Sequence, residues 1–465
     1  MPEATPLATI TYAELKRHSR YEDAWISVDG VVYDITKFID AHPFGDTFRG
    51  NLGTECGGLF AASHVNTNAA KMLASDKFRA KHDISIIGRL DGSRDHLHKS
   101  DPDPYLDRLI HRPMADDPFW QDLKEEVCAF LRDTGESIHY SLGQGLALVA
   151  YYFVIAAVLS WLAWFQGSLL AAALLGFHML CAVAHVSHMA THFGFTRHPW
   201  LNFLAQQFFD LGGMSWLEWQ IAHQTHHNQP HSVIDQQTNV YDDTLLTRIH
   251  RYIEQRPRHR YQHIYFWVIV SQYLLFRLVG TTWWMLQNRR FIRHWYEMAA
   301  HLFARAVFVS LVVYAVNAHG WLALWLFLSY ATAYSYAAFI LLYNDHADAH
   351  AVIDDAADIR RYHGRTSWAE VQVRTSNDWY PTNWLMAFIE FHYGYFNYHI
   401  EHHLFPTFKP TLMKKVSPVV QRVCRRHGIP YTRTTFLEVQ VSLQEHFARM
   451  GTLADVRASA DDSRE

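Results

Sequence analysis

The sequence predicts a small α+β domain followed by an all-α membrane domain, with four transmembrane helices and a cytosolic cap of clustered histidines. Three observations carry that expectation. Residues 24–36 read as two short β-rich runs around an Asp-Gly turn signal. Two stretches, Ser137–Thr196 and Ala306–Asn344, contain no Asp, Glu, Lys or Arg. Histidine triplets spaced i, i+3 and i+4 recur in segments far apart along the chain.

The N-terminal unit is built from "WISV" and "VVYDIT", separated by Asp29-Gly30, with His42 in "AHPFG" and His64 in "FAASHV", 22 residues later. With Trp25, "VYDITKFI" and the closing "IIGRL", this passage resembles cytochrome b5 over residues 7–91. The resemblance implies a haem b whose iron is held from opposite sides by His42 and His64. One position departs: Phe44 stands where that family usually carries glycine. The first 25 residues contain no basic segment leading into an apolar run, so no secretory signal is expected and the domain is placed in the cytosol.

Residues 92–118 are rich in Asp and Pro and read as a linker, with His96, His98 and His111 solvated. Residues 119–435 form the membrane domain and 436–465 a C-terminal tail. The domain opens with "PFWQDLKEEVCAFLRDTGES", in which Phe119, Leu123, Val127 and Phe130 make the apolar stripe of an amphipathic helix. That helix is expected to lie against the membrane or the core.

A chain of 465 residues has room for two or three domains, and a formal net charge of −4 gives no footing for a nucleic-acid partner. Aromatic residues at 15 %, including 16 Trp, point instead to a membrane. Cys56, Cys128, Cys181 and Cys424 are scattered, without paired spacings, so no disulfide framework is expected.

Each charge-free run is long enough for two spans of about 17–22 residues and a short turn. The spans are placed near 145–165, 168–187, 300–317 and 321–343, with turns at "FQGS" and "NAHG". A fifth apolar stretch, 264–286, carries Arg277 within it and "QNRRFIRH" after it. Histidine segments that meet at one centre require an even number of crossings between them, so this stretch is read as an interfacial helix. The apolar segment 200–217 is set aside on the same argument. Arg289, Arg290, Arg293, Lys409, Lys414 and Lys415 place the histidine segments at the cytosolic face.

Those segments are "HVSHMATH" with His185, His188 and His192, "HQTHH" with His223, His226 and His227, "NDHADAH" with His346 and His350, and "HIEHH" with His399, His402 and His403. On a helix, residues three and four apart share a face, and imidazole is the commonest metal ligand. Four such clusters read as one metal centre. Imidazole alone suits zinc, copper, iron and nickel. A haem carrier supplies electrons one at a time and zinc has no redox chemistry, so the metal must cycle. About nine histidines exceed one coordination sphere, and two irons are the economical reading. Reduced iron at a membrane surface, with dioxygen as co-substrate, suits attack on an unactivated C–H bond. The residues themselves permit either a double bond or an alcohol as product.

The order HxxxH, HxxHH and a late "IEHHLFP" behind a fused cytochrome b5, together with "AFLRDTG" and "NDHADAH", resembles the membrane fatty acid desaturases, in particular the front-end acyl desaturases, over most of residues 10–430. The resemblance implies desaturation and carries His188, His192, His223, His226, His227, His346, His402 and His403 over as iron ligands. His399 replaces the glutamine usual in the front-end branch, and its spacing to His402 and His403 adds it to the metal set. His185, Asn344 and His350 are expected behind the ligands. The resemblance further implies an acyl-CoA or phospholipid acyl substrate, NADH-cytochrome b5 reductase as electron donor, and, in a eukaryote, the endoplasmic reticulum membrane. A lipid hydroxylase or sphingolipid desaturase built on the same centre is the nearest alternative. A membrane-anchored electron carrier is a remote one, since it would need one span and no histidine segments.

Overall fold

The computed structural model describes residues 7–91, 111–230, 247–248, 254–342 and 367–453. Its N-terminal unit is a five-stranded sheet in the order Thr9–Ile10, Ser85–Leu90, Val31–Asp34, Asp23–Val28, Ser19–Arg20. The expected hairpin forms with Val28 opposite Val31. Asp29 and Gly30 at its tip both take positive φ, 51° and 78°, as a two-residue hairpin turn requires. Short helices cover one face of the sheet and frame His42 and His64, and Ile26, Val28, Ile35 and Leu52 fill the core between them.

Among the described residues four helices are long and apolar enough to cross a membrane: Leu142–Phe165, Leu169–Thr191, Trp295–His319 and Leu322–Leu341. The first, second and fourth lie within the charge-free runs, and the third enters its run only after Glu297 and Arg305. The connections are tight because Gly167 and Gly320 turn the chain at φ 72° and 58°. The first and third spans bury only 17 % of their apolar window and present Phe153, Val158, Phe303 and Val309 outward, as lipid-facing helices do. The second span is 72 % buried and packs on the fourth. A Cβ on Gly176 would lie 2.2 Å from the Tyr330 carbonyl oxygen, so the two backbones touch there. Gly176→Leu is therefore expected to separate these spans at a cost of about 1–3 kcal/mol or more. The thermal midpoint of the detergent-purified protein should fall by several degrees, while Gly143→Ala, which enters open space, should leave it unchanged.

The fifth apolar stretch is not a straight span. It forms two helices within 257–287, bent by 73° near Ser271. Arg277 is held there by Glu218 at 2.9 Å, which explains how a cation sits inside an apolar segment. The segment 200–217 contains the helix Pro199–Gly212, too short to cross.

Three expectations are corrected. The helix at the domain start runs Pro118–Thr134, and its buried stripe is Phe119, Trp120, Leu123, Val127 and Leu131, with Phe130 only half-buried. It packs on the helix Pro410–His427, where Glu126 pairs with Arg422 and Arg426. Residues 436–450 are no tail but a helix with Leu443 and Phe447 fully buried, Phe447 lying 4.2 Å from the Phe266 ring. The end of the linker is anchored, since the Met114 amide donates to Asp29 Oδ1 at 3.2 Å and His111 is half-buried rather than solvated. His96 and His98 lie outside the described residues. All four cysteines are free.

Candidate metal centre and haem pocket

The first histidine segment ends the second span, where a π-helical turn, Val183–Ser187, precedes the helix His188–Thr191. Such turns add one residue to the helical register. His185 thereby leaves the line of His188 and His192, and its ring meets Tyr140 Oη at 3.1 Å and Tyr152 Oη at 2.8 Å. The second segment lies on the helix Trp216–Asn228, capped by Ser215, and the last on the six-residue helix His399–Leu404. Side-chain amides fix these backbones: Gln206 donates to Ala190 O at 3.0 Å and Gln220 to Thr191 O at 2.9 Å.

Eight imidazoles converge in two buried groups. His188, His192, His223, His227 and His402 bring five ring nitrogens within 4.8 Å of one another, and His226, His399 and His403 form a second group on the same criterion. The two groups adjoin, with the His227 and His403 ring centroids 4.5 Å apart. Helix geometry explains the division. Residues i and i+4 are only about 40° apart around a helix, whereas i+3 lies about 60° to the other side of i. His223 and His227 thus turn into one group and His226 into the other. His399 and His403 likewise pair, and His402 crosses over.

The Nε2 atoms face one another: His192 to His188 at 3.2 Å, His223 to His227 at 3.0 Å, His227 to His402 at 2.9 Å and His403 to His399 at 3.0 Å. An imidazole nitrogen offers one proton or one lone pair, so His227 Nε2 cannot satisfy both His223 and His402 by hydrogen bonding. A cation can. Nitrogens about 3 Å apart could all reach one cation through metal–nitrogen bonds of about 2.1 Å. Burial first, and the neighbouring imidazoles second, push His227 and His402 well below the ordinary histidine range. They stay neutral, the form that binds metal.

Behind these rings stand groups that no sequence motif singles out. Gln372 Oε1 meets His403 Nδ1 at 2.8 Å, while its amide donates to the His227 carbonyl at 3.0 Å, so one side chain ties the second and last segments together. Beneath the last helix Asp378 accepts the Ile400 amide at 3.0 Å, and Tyr431 donates to Glu401 at 2.8 Å. Burial, then the nearby Asp378, push Glu401 well above the usual carboxylate range. "WAEVQVRT" and "NDWY" read as ordinary helix and loop, and only the fold brings them under the histidines. Asn344, His346 and His350 lie outside the described residues.

In the N-terminal unit the His42 and His64 rings are 6.1 Å apart between centroids, close enough for both to reach one metal ion. Each Nδ1 is engaged, by the Phe44 amide at 3.2 Å and by the Phe60 carbonyl at 2.8 Å, which leaves each Nε2 for a metal. Burial pushes His42 down to about 4 and lowers His64. The pocket therefore fits a haem iron held between two neutral imidazoles. Phe44, the departure from the expected glycine, turns away from the pocket onto Phe193, with ring centroids 5.2 Å apart.

Comparison with known proteins agrees with both halves. Residues 140–435 match the fatty acid desaturase family, and residues 11–83 match the cytochrome b5-like haem/steroid binding domain. The chain is 25 % identical to an acyl-lipid (8-3)-desaturase of Physcomitrium patens, across 96 % of this chain and 91 % of that protein. It is also 25 % identical to fatty acid desaturase 3 of Bos taurus, across 96 % and 95 % of the two chains. With delta(8)-fatty-acid desaturase 2 of Arabidopsis thaliana the identity is 26 %, across 95 % and 93 %.

Proposed function

The chain belongs to the fatty acid desaturase family, and on that premise we propose that it is a di-iron acyl-chain desaturase fed with electrons through its own cytochrome b5 domain. That it is a membrane desaturase with a fused haem domain follows from the family matches and the relatives. The single observation that carries the finer reading is the division of eight buried imidazoles into two adjoining groups. His188, His192, His223, His227 and His402 hold one iron; His226, His399 and His403 hold the other, with His346 as a ninth ligand. Bound there, two irons would supply the dioxygen activation needed to remove two hydrogens from adjacent methylenes. The balance is O2, two substrate hydrogens, two electrons and two protons in, and a double bond and two waters out.

The chain's own residues do the rest. Gln372 orients His403 and the backbone of His227, and Asp378, Glu401 and Tyr431 hold the last helix in register beneath the site. His42 and His64 hold the haem b that relays electrons from an NADH-cytochrome b5 reductase. The haem domain, the histidine groups and the basic residues Arg289, Arg290 and Arg293 share the cytosolic side, in the endoplasmic reticulum of a eukaryotic cell. The acyl chain is presented on CoA or a phospholipid.

Expression in a host with few unsaturated lipids, followed by fatty-acid profiling by mass, tests the reaction. A new acyl species 2 Da lighter than its precursor is expected. A species 16 Da heavier would make the protein a hydroxylase.

The proposal also assigns a role to the histidine that replaces glutamine in the last segment. His399→Ala is expected to lower non-haem iron by about one per chain and desaturation at least ~10-fold, in the range lost when metal sites lose support. His399→Gln should keep the fold and part of the activity, because an amide retains a hydrogen bond but ligates poorly. Unchanged iron and turnover in His399→Ala would remove it from the ligand set.

A further inference from the structure

We propose that the haem domain works from one fixed pose on the membrane domain, clamped by Arg49 and Glu297 and registered directly against the helix that carries the second histidine segment. This rests on the desaturase reading of the two metal sites.

The clamp is buried. Arg49 donates twice to the Glu297 carboxylate and once to the Phe291 carbonyl at 3.3 Å, and its guanidinium lies 5.3 Å from the Trp216 ring centroid. The two side chains are 0 % and 2 % exposed. Glu297 is itself fixed, since it accepts the Arg293 amide at 3.0 Å where the third span begins. A buried ion pair is poor evidence for stability but a good device for register, because a slipped pose that stays docked leaves two buried charges unpaired.

The register reaches the metal ligands' own neighbours. Gln224, between His223 and His226, accepts the Gly50 amide at 2.6 Å and donates to the Thr47 carbonyl at 2.8 Å. Asn228, next to His227, donates to the Glu55 carbonyl at 2.7 Å. The approach is close enough that a Cβ on Gly50 would sit 2.6 Å from Gln224 Oε1, and one on Gly58 2.3 Å from the Trp368 ring. Phe44, two residues after His42, stacks at a tilt on Phe193, the residue after His192. The backbone leaves both haem-side and metal-side histidines through residues that touch across the seam. A domain on a tether that searched for its partner would need none of this; a domain held at constant distance needs all of it. Arg49 and Glu297 are thus positioning residues, not catalytic ones.

The full-length protein, carrying haem and reconstituted in nanodiscs, tests this with spin labels at two exposed sites, Lys77 and Arg425, and with stopped-flow reoxidation of the reduced haem in air plus acyl substrate. Wild type is expected to give one narrow label distance. Arg49→Met should broaden it and slow reoxidation at least tenfold with haem absorbance and non-haem iron unchanged, and Arg49→Lys should recover part of both. As a second arm that does not disturb the interface, twelve Gly/Ser residues inserted between Lys99 and Ser100 should change neither reading. Broadening on insertion, or a narrow distance with unchanged reoxidation in Arg49→Met, would overturn the fixed pose. A wild-type haem that never reoxidises faster with acyl substrate would instead count against the desaturase reading, leaving the distance arm to stand.

Discussion

Replacing His402 with alanine is expected to abolish desaturation, with product falling more than ~100-fold, beyond the range typical of changes behind a metal's ligands. His402 is fully buried, its Nε2 lies 2.9 Å from His227 Nε2, and its ring packs 4.5 Å from that of His188 and 5.0 Å from that of His192. It therefore joins the last histidine segment to the first two. No other residue of its helix enters the five-membered group. The measurement is non-haem iron per chain beside the fatty-acid profile of the expressing host. The haem spectrum should be unaffected, because His402 belongs to the other domain. A variant retaining full iron and product would remove it from the site.

The second large effect is expected from His64→Ala. Loss of one of two imidazoles facing each other across 6.1 Å should eliminate the bis-histidine haem spectrum. Activity in cells should fall to the level of a chain without its haem domain, while non-haem iron stays at the wild-type count. The two variants thus separate the two metal sites by opposite signatures. Loss of both haem and non-haem iron in His64→Ala would show a common folding defect instead, and a normal haem spectrum would reject the ligand assignment.

Much of this arrangement was legible in the sequence because it is written in local patterns. Asp29-Gly30 encodes a hairpin turn on its own, and charge-free runs encode spans because a bilayer tolerates few charges. The histidine triplets encode a shared helix face, and helix geometry then divides them between two groups. Arg277 interrupts an apolar run that the fold bends by 73°, and Glu218 supplies its partner. What sequence could not reveal depends on contacts between distant segments. Gln372 is an ordinary amide on a short amphipathic helix until the fold sets it between His403 and the His227 carbonyl. Arg49 looks like a surface cation of the haem domain, and only docking buries it against Glu297, 248 residues away. Residue spacing does not show where the His185 ring turns, since the π turn at Val183–Ser187 sets it against Tyr140 and Tyr152. The helix at 436–450 is hard to read because its stripe of Val439, Leu443 and Phe447 is sparse.

We propose that eight buried histidines, with His346 as a ninth ligand, hold two redox-active irons beside a separate haem. Metal analysis of the purified full-length protein by inductively coupled plasma mass spectrometry, set against haem counted from its absorbance, tests it most directly. The account predicts three irons per chain, one with the haem and two without. One haem accompanied by zinc, or by a single further iron, in fully active protein would contradict it.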